Sequence, residues 1–428
     1  MKLNFSKFHK SEFASNAISL SVGTIVAQVV PILFYPILSR IFEPREFGIA
    51  ANFTVIIPIL VILATGMYES GILISDTKKE ALNLIGLILL RSSIILLVSE
   101  IVIFIFGDKI CNLLNQQELK SWLFLIPIAS FATIITNIYS EWCIKNKEFS
   151  SLSKLRILNT SSVSASKLLF GVVKLFGNGL ILGDVFGRLI TAISCTINAF
   201  KQEKELLQSI SIKRFKYLSK KYKDLPKFTM PDQLISNIGG SAPIILIGMY
   251  FSNTELGYFS VAGTVLTVPI TVFTISIRDV FRQKVNEEFS KTGNCQKIYI
   301  RLLKIVSFFG LFGFLLLFFV FPYLIDFILG KNWSAVSRYA QIQMPMFFFS
   351  FISMSLSGVL IIVQKMKISF YWQIYYTIAT ILGMVIGIYF YKTIELTIIC
   401  LVIARCSAYI YYMFLSYKYS KADKNIQI

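Results

Sequence analysis

The sequence predicts an all-α integral membrane protein: twelve transmembrane helices in two six-helix lobes, related by a pseudo-twofold axis along the membrane normal. Three observations carry that expectation. The 428 residues are 55% hydrophobic and only 15% charged, with a mean hydropathy of +0.68. Apolar runs of about 20 residues recur along the whole length, each long enough to cross a hydrocarbon core of about 30 Å. The second half of the chain also repeats the order of motifs found in the first.

Hydropathy places the spans at roughly 14–39, 46–74, 83–106, 119–141, 152–174, 178–200, 228–250, 256–281, 299–325, 338–363, 368–391 and 394–417. Ahead of the first, M-K-L-N-F-S-K-F-H-K is basic and leads into a full-length span without a small-residue cleavage site. It reads as retained chain and not as a signal peptide. Span two closes on A-T-G-M-Y-E-S-G-I-L-I-S (64–75), with Tyr68 and Glu69 between Gly66 and Gly71. Span three carries Arg91 about two turns in. In span five, Ser153, Thr160, Lys167 and Lys174 recur at heptad spacing. In span six, Asp184, Arg188, Thr191 and Cys195 follow i, i+4, i+7 and i+11, which is one helical face. Asp184 can pair with Arg188 on that face, and Lys167 lies near the same end of the adjacent antiparallel helix. Arg278 falls near the inner end of span eight. Arg405 falls near the middle of span twelve, without an acid close by in that span. Pro31, Pro36, Pro58, Pro127, Pro243, Pro269, Pro322 and Pro345 lie inside spans, where they remove backbone donors and favour kinks.

An even number of spans puts both termini on one side. Lys and Arg crowd into the loops of that side, and this bias makes both termini cytoplasmic. The densest block, K-R-F-K-Y-L-S-K-K-Y-K-D-L-P-K (213–227), joins spans six and seven. It separates an N-terminal lobe (1–212) from a C-terminal lobe (228–428), and reads as a topology determinant touching anionic headgroups. The net charge of +19 is thereby a matter of topology, and nucleic acid is not an expected partner.

The repeat supports the two-lobe division. At an offset of 209, I-F-E-P-R-E-F-G (41–48) falls on Y-F-S-N-T-E-L-G (250–257). At 218, I-P-I (126–128) falls on M-P-M (344–346) and K-N-K (145–147) on V-Q-K (363–365). At 217, Arg188 falls on Arg405. Both halves start on the same side with an even number of spans, which makes them parallel repeats.

Residues 46–90, including E-F-G-I-A-A-N-F, A-T-G-M-Y-E-S-G-I-L-I-S and D-T-K-K-E-A-L-N-L, resemble the second and third spans of Wzx-type polysaccharide flippases. These belong to the multidrug/oligosaccharidyl-lipid/polysaccharide exporter superfamily. L-P-K-F-T-M-P-D-Q-L-I-S-N (225–237), A-P-I-I-L-I-G-M-Y-F (242–251) and L-G-Y-F-S-V-A (256–262) carry the resemblance into the second half. It implies a V-shaped carrier that moves undecaprenyl-diphosphate-linked oligosaccharide repeat units across the bacterial inner (plasma) membrane, for O-antigen or capsule biosynthesis. The implied partners are that lipid-linked oligosaccharide, membrane lipids, a polysaccharide polymerase and a chain-length regulator. Met67 departs from the pattern, because relatives often carry Arg before the Tyr-Glu pair.

A diphosphate-linked glycan needs a path that is cationic and polar yet walled by apolar helices. A charge inside the bilayer costs about 2.5–3.5 kcal/mol on the insertion scale, so each should face a cavity or a partner. The expected substrate-binding residues are Arg278, Arg405, Arg188, Lys167 and Arg91. Glu69, Arg278, Asp184 and Tyr68 are expected at a gate or in ion coupling. Lys167 and Arg188 read equally well as ion-paired glue between helices. The offset of 209 sets Glu69 against Arg278, and three readings of Glu69 stay open. It forms a gate pair with Arg278, it carries H⁺ or Na⁺ in an antiport cycle, or it is an acid hydrated at the membrane edge.

The exclusions are chemical. The single histidine, His9, lies in the N-terminal tail, and the six cysteines show no C-x-x-C spacing, so no cofactor or metal is expected. No phosphate-binding G-x-x-x-x-G-K-[ST] occurs. A multidrug exporter of the same superfamily would favour an acidic cavity, against the excess of deep Lys and Arg. A membrane-embedded polymerase would need poised acids or histidines, and no histidine lies in a span. The chain is expected not to be an enzyme.

Overall fold

The computed structural model describes residues 12–174, 177–207, 210–363 and 365–421; His9 lies outside them. Among the described residues, twelve long helices follow one another. They are Glu12–Ile41, Pro44–Thr65, Lys78–Leu113, Leu125–Lys145, Phe149–Val173 and Gly179–Leu207, then Met230–Tyr250, Asn253–Thr292, Gln296–Ile328, Ser334–Ser355, Met366–Ile386 and Ile394–Tyr419. We call these spans one to twelve. Among the described residues, nine helical segments are long and apolar enough to cross a membrane. Spans four, five and seven fall outside that set. Span five shows why: Ser, Thr, Asn and Lys recur along S-K-L-R-I-L-N-T-S-S-V-S-A-S-K.

Span two is not continuous. Its helix ends at Thr65, Gly66 and Met67 both take left-handed φ (+61°), and a short helix Ser70–Ile74 restarts the segment. Hydropathy predicted one unbroken span there, because apolar residues resume at 72–74 beyond the break. Span eight, the repeat-related helix, runs unbroken for 40 residues, about twice what the hydrocarbon requires at 1.5 Å per residue.

Two compact units emerge from the packing. The first holds residues 1–42 and 49–234, and the second holds 43–48 and 235–428. The basic linker therefore packs with the first unit. Its helix Ile212–Lys221 buries Phe215 and Leu218. Within the first unit, spans five and six are in tight register. A Cβ on Gly183 would overlap the Lys167 backbone and one on Gly187 the Val163 backbone, so G-D-V-F-G is a close-approach motif for helices in a membrane.

The second unit includes residues 43–48, the start of span two, and the contact is reciprocal. A Cβ on Gly48 would strike the Asn253 carbonyl oxygen, and one on Gly257 would strike the Pro44 carbonyl oxygen. These four residues are related in pairs by the 209 offset. So are two helix caps: Glu46 Oε2 accepts the Glu43 N–H at 2.9 Å, and Glu255 Oε2 accepts the Ser252 N–H at 3.1 Å. Phe47 closes the contact edge-on against buried Trp333, ring centroids 5.0 Å apart.

Candidate functional site

The break in span two gathers several of the expected residues. Ending a helix leaves carbonyls without partners and a partial negative charge at its C-terminus. Arg91 of span three answers both. Its Nη1 donates to the Thr65 carbonyl at 3.2 Å and its Nη2 to the Leu63 carbonyl at 3.4 Å. Gly66 makes room for it, since a Cβ there would occupy the guanidinium. The same cation lies 5.5 Å from the centroid of the buried Tyr68 ring. Where the resemblance led one to look for a cation at position 67, the structure supplies it from span three.

Glu69 follows directly. It is buried (7% exposed), its Oε2 has no hydrogen-bond partner among the described residues, and the Thr65 hydroxyl lies within hydrogen-bonding reach of its carboxyl. Glu141 of span four is close enough for its charge to interact with that of Glu69. Sequence reasoning missed Glu141. It sits near the end of an apolar helix, four residues before Lys145, and reads there as an ordinary interfacial acid. Glu69 belongs to the first unit and Arg278 to the second. Arg278 is half-buried within the long span eight.

Lys167, Asp184 and Arg188 meet as one triad. Asp184 is 3% exposed; Arg188 Nε donates to its Oδ2 at 2.6 Å and Lys167 Nζ lies 3.3 Å from its Oδ1. Arg188 Nη1 also donates to Thr133 Oγ1 of span four at 3.0 Å. Two cations share one acid, so the triad carries a net charge of about +1.

The second unit solves the same position differently. At the 217 offset, Arg405 corresponds to Arg188, while Asp184 falls on Leu401 and Lys167 on Met384. Instead of an acid, Arg405 Nη2 finds the Gly239 carbonyl at 3.1 Å, and its guanidinium lies 5.4 Å from the Tyr376 ring centroid. Its Nε has no hydrogen-bond partner among the described residues. Beside it, Gly240 is exposed with nothing within 4 Å of where a side chain would start. The Tyr376 ring in turn lies 5.7 Å from the Tyr409 ring, and the Tyr375 and Tyr411 rings are 5.5 Å apart. The arrangement is a cation held on backbone carbonyls beside an aromatic face, with no ion-paired acid among the described residues.

Outside the spans, the linker helix is tied down by charge. Lys221 Nζ lies 2.6 Å from Asp76 Oδ2 and 2.5 Å from Glu80 Oε1, and the Tyr222 hydroxyl donates to the same Glu80 oxygen at 3.1 Å. The hydrogen bond and charge of Lys221 hold the Asp76 carboxyl below the usual carboxylate range, and the bonds to Asp76 and Glu80 push Lys221 upward.

A family model described as "Polysaccharide biosynthesis protein" matches residues 37–338 of the chain. No curated protein matches it. Among solved structures, "Lipid II flippase MurJ, inward closed conformation" aligns over 93% of this chain and 87% of its own at 16% identity, with a TM-score of 0.76. An inward-facing multidrug resistance MATE family transporter of the MOP superfamily aligns over 94% of this chain and 96% of its own at 14% identity, TM-score 0.73. An outward-facing one covers 98% of both chains at 13% identity, TM-score 0.57. At such identities the likeness is one of fold, that of two-lobed multi-pass carriers.

Proposed function

The chain belongs to the polysaccharide biosynthesis protein family, and from that premise we propose that it is a flippase for undecaprenyl-diphosphate-linked oligosaccharide repeat units. It works by alternating access in the bacterial cytoplasmic membrane, with the linker face and both termini on the cytoplasmic side, and serves O-antigen or capsule biosynthesis. The observation that carries this reading is Arg405. A cation deep in a span is expensive, and among the described residues this one rests on backbone carbonyls and an aromatic ring, without an ion-paired acid. Such a group suits an anionic ligand. The triad of the first unit carries a net positive charge as well, although both of its cations share Asp184.

The roles follow from the chemistry. Arg405 and Arg188 with Lys167 attract the diphosphate, and the tyrosines near Arg405 offer faces and hydroxyls to sugars. Glu69, with Glu141 beside it, is the coupling group for H⁺ or Na⁺. Arg278, its counterpart at the 209 offset, is a further cation for the anionic substrate. Arg91 and Tyr68 set the geometry of the break that presents Glu69. The family relation supports a transporter and not an enzyme. A polymerase and a chain-length regulator are the partners that would receive the product on the far side.

The experiment is reconstitution of the purified protein into vesicles loaded with a diphosphate-linked glycan, scored by its appearance in the opposite leaflet. Accelerated appearance, lost in Arg405→Gln, supports the assignment. No acceleration over empty vesicles sinks it. The likeness to MATE transporters keeps one rival, an ion-coupled multidrug exporter. Proton-driven efflux of an organic cation by the same vesicles, with the glycan left in place, would establish that rival.

A further inference from the structure

The linker helix Ile212–Lys221 has two faces that do different things. Phe215 and Leu218, with Tyr222 just beyond the helix, turn inward onto span three. Gly86 admits the Phe215 ring, Asn83 Oδ1 accepts the Ser211 N–H at 2.8 Å, and Lys221 and Tyr222 are anchored on Asp76 and Glu80. Lys213, Arg214, Lys216, Lys220 and Lys223 face outward and are exposed. Interleaved with them are exposed apolar groups: Ile212 at 76%, Tyr217 at 65% and, farther along, Phe228 at 61%. Basic side chains alternating with exposed apolar ones on a helix lying beside the ends of spans is the pattern of an interfacial helix. Several cations on so short a helix repel one another, and a dense anionic surface relieves that repulsion.

The inward face reaches further than span three. The Tyr68 hydroxyl donates to the Ser219 carbonyl at 3.3 Å, and Gly71 packs against Leu225 and Tyr222. Tyr68 and Gly71 flank Glu69 at the break in span two. The helix that meets headgroups on one side therefore grips the break on the other.

We propose that the linker helix is a sensor of membrane charge: its basic outer face binds anionic phospholipid headgroups, and its inner face transmits that binding to the break in span two. Bound headgroups hold the helix against span three, which keeps the Tyr68–Ser219 bond and fixes the segment bearing Glu69. In a membrane without anionic lipid the helix lifts more often, and the break opens with it. This holds whichever substrate is moved.

The test is hydrogen exchange on the full-length protein in nanodiscs of phosphatidylcholine alone or mixed with phosphatidylglycerol. With phosphatidylglycerol, amides 66–75 and 212–222 should exchange more slowly, by about fivefold. The variant Lys213→Gln/Arg214→Gln/Lys216→Gln/Lys220→Gln keeps the inner face and Lys221, and should lose the lipid dependence in both segments. Its melting temperature in detergent is the control for folding. Protection of the linker without protection of 66–75 overturns the transmission. Equal exchange in both lipids, or an undiminished lipid effect in the quadruple variant, overturns the sensor. If a soluble polyanion added to phosphatidylcholine discs protects both segments as phosphatidylglycerol does, the assignment to headgroups falls.

Discussion

The triad of spans five and six can be tested by giving the first unit the residues that the second already uses. Asp184 is 4% exposed at its side chain, and Lys167 and Arg188 are each 24% exposed. Asp184→Leu removes the shared acid and leaves two cations largely sheltered with no countercharge. Breaking a buried ion pair from one side costs about 3–5 kcal/mol. The partial exposure of both cations favours the lower end, and about 3 kcal/mol corresponds to a fall in melting temperature of roughly 6–12 °C for a unit of this size. Lys167→Met/Asp184→Leu reproduces Met384 and Leu401, the apolar counterparts in the second unit, and leaves one arginine, as Arg405 is left there. Replacing a buried pair by apolar residues is often close to neutral, so the double variant should recover most of the loss. The assay is thermal unfolding of the parent, Lys167→Met, Asp184→Leu and the double variant in one detergent. If Asp184→Leu melts within about 1 °C of the parent, or the double variant is no better than the single, the reasoning that the triad is a sheltered, mutually compensating unit is wrong.

Other outcomes follow from the same geometry. Arg91→Leu removes the donors to the Thr65 and Leu63 carbonyls and should destabilise the break by about 1–2 kcal/mol, visible as faster exchange of amides 66–75. Arg91→Lys should restore only part, since an ammonium cannot reproduce the planar fork. Gly187→Leu places a side chain into the Val163 backbone and should abolish the folded first unit, whereas Gly313→Leu, at a position with open space, should be tolerated in the same melting assay. The Lys221–Asp76 contact sets a pH window. The depressed Asp76 carboxyl contributes stability above the ordinary carboxylate value near 3.9, lost as pH falls through its lowered value; the raised Lys221 contributes below its ordinary value near 10.4, lost as pH rises through its raised one. Linker exchange, corrected for intrinsic rates, should therefore be flat through neutral pH and accelerate in acid, and Asp76→Asn should remove much of that acid dependence.

What was legible in the sequence was whatever followed a period. Helical spacing put Asp184 and Arg188 on one face and Lys167 near them. Hydropathy located the spans to within a few residues at most ends. What stayed hidden depended on contacts between elements distant along the chain. The break at Gly66 and Met67 has apolar residues on both sides that average into one span, so its backbone angles and the arginine from another helix reveal it. Glu141 looked unremarkable until span four lay beside span two. Lys221 was one basic residue among many, and nothing in the block's composition distinguished the lysine that turns inward from those that face outward. The partners of Arg405 are backbone carbonyls and an aromatic face, which leave no charge signature to find.

The reciprocal glycines at 48 and 257 have a consequence for how this sequence can change over generations. Each glycine is constrained by the main chain of the other repeat, so no side-chain replacement elsewhere can make space for a bulkier residue at either one. The two positions act as a single locus under selection. A lineage that loses one glycine loses the fit that made the other necessary, and both should then drift together. Across homologues, the pair should be kept or lost jointly, even where the surrounding loops have diverged beyond recognition.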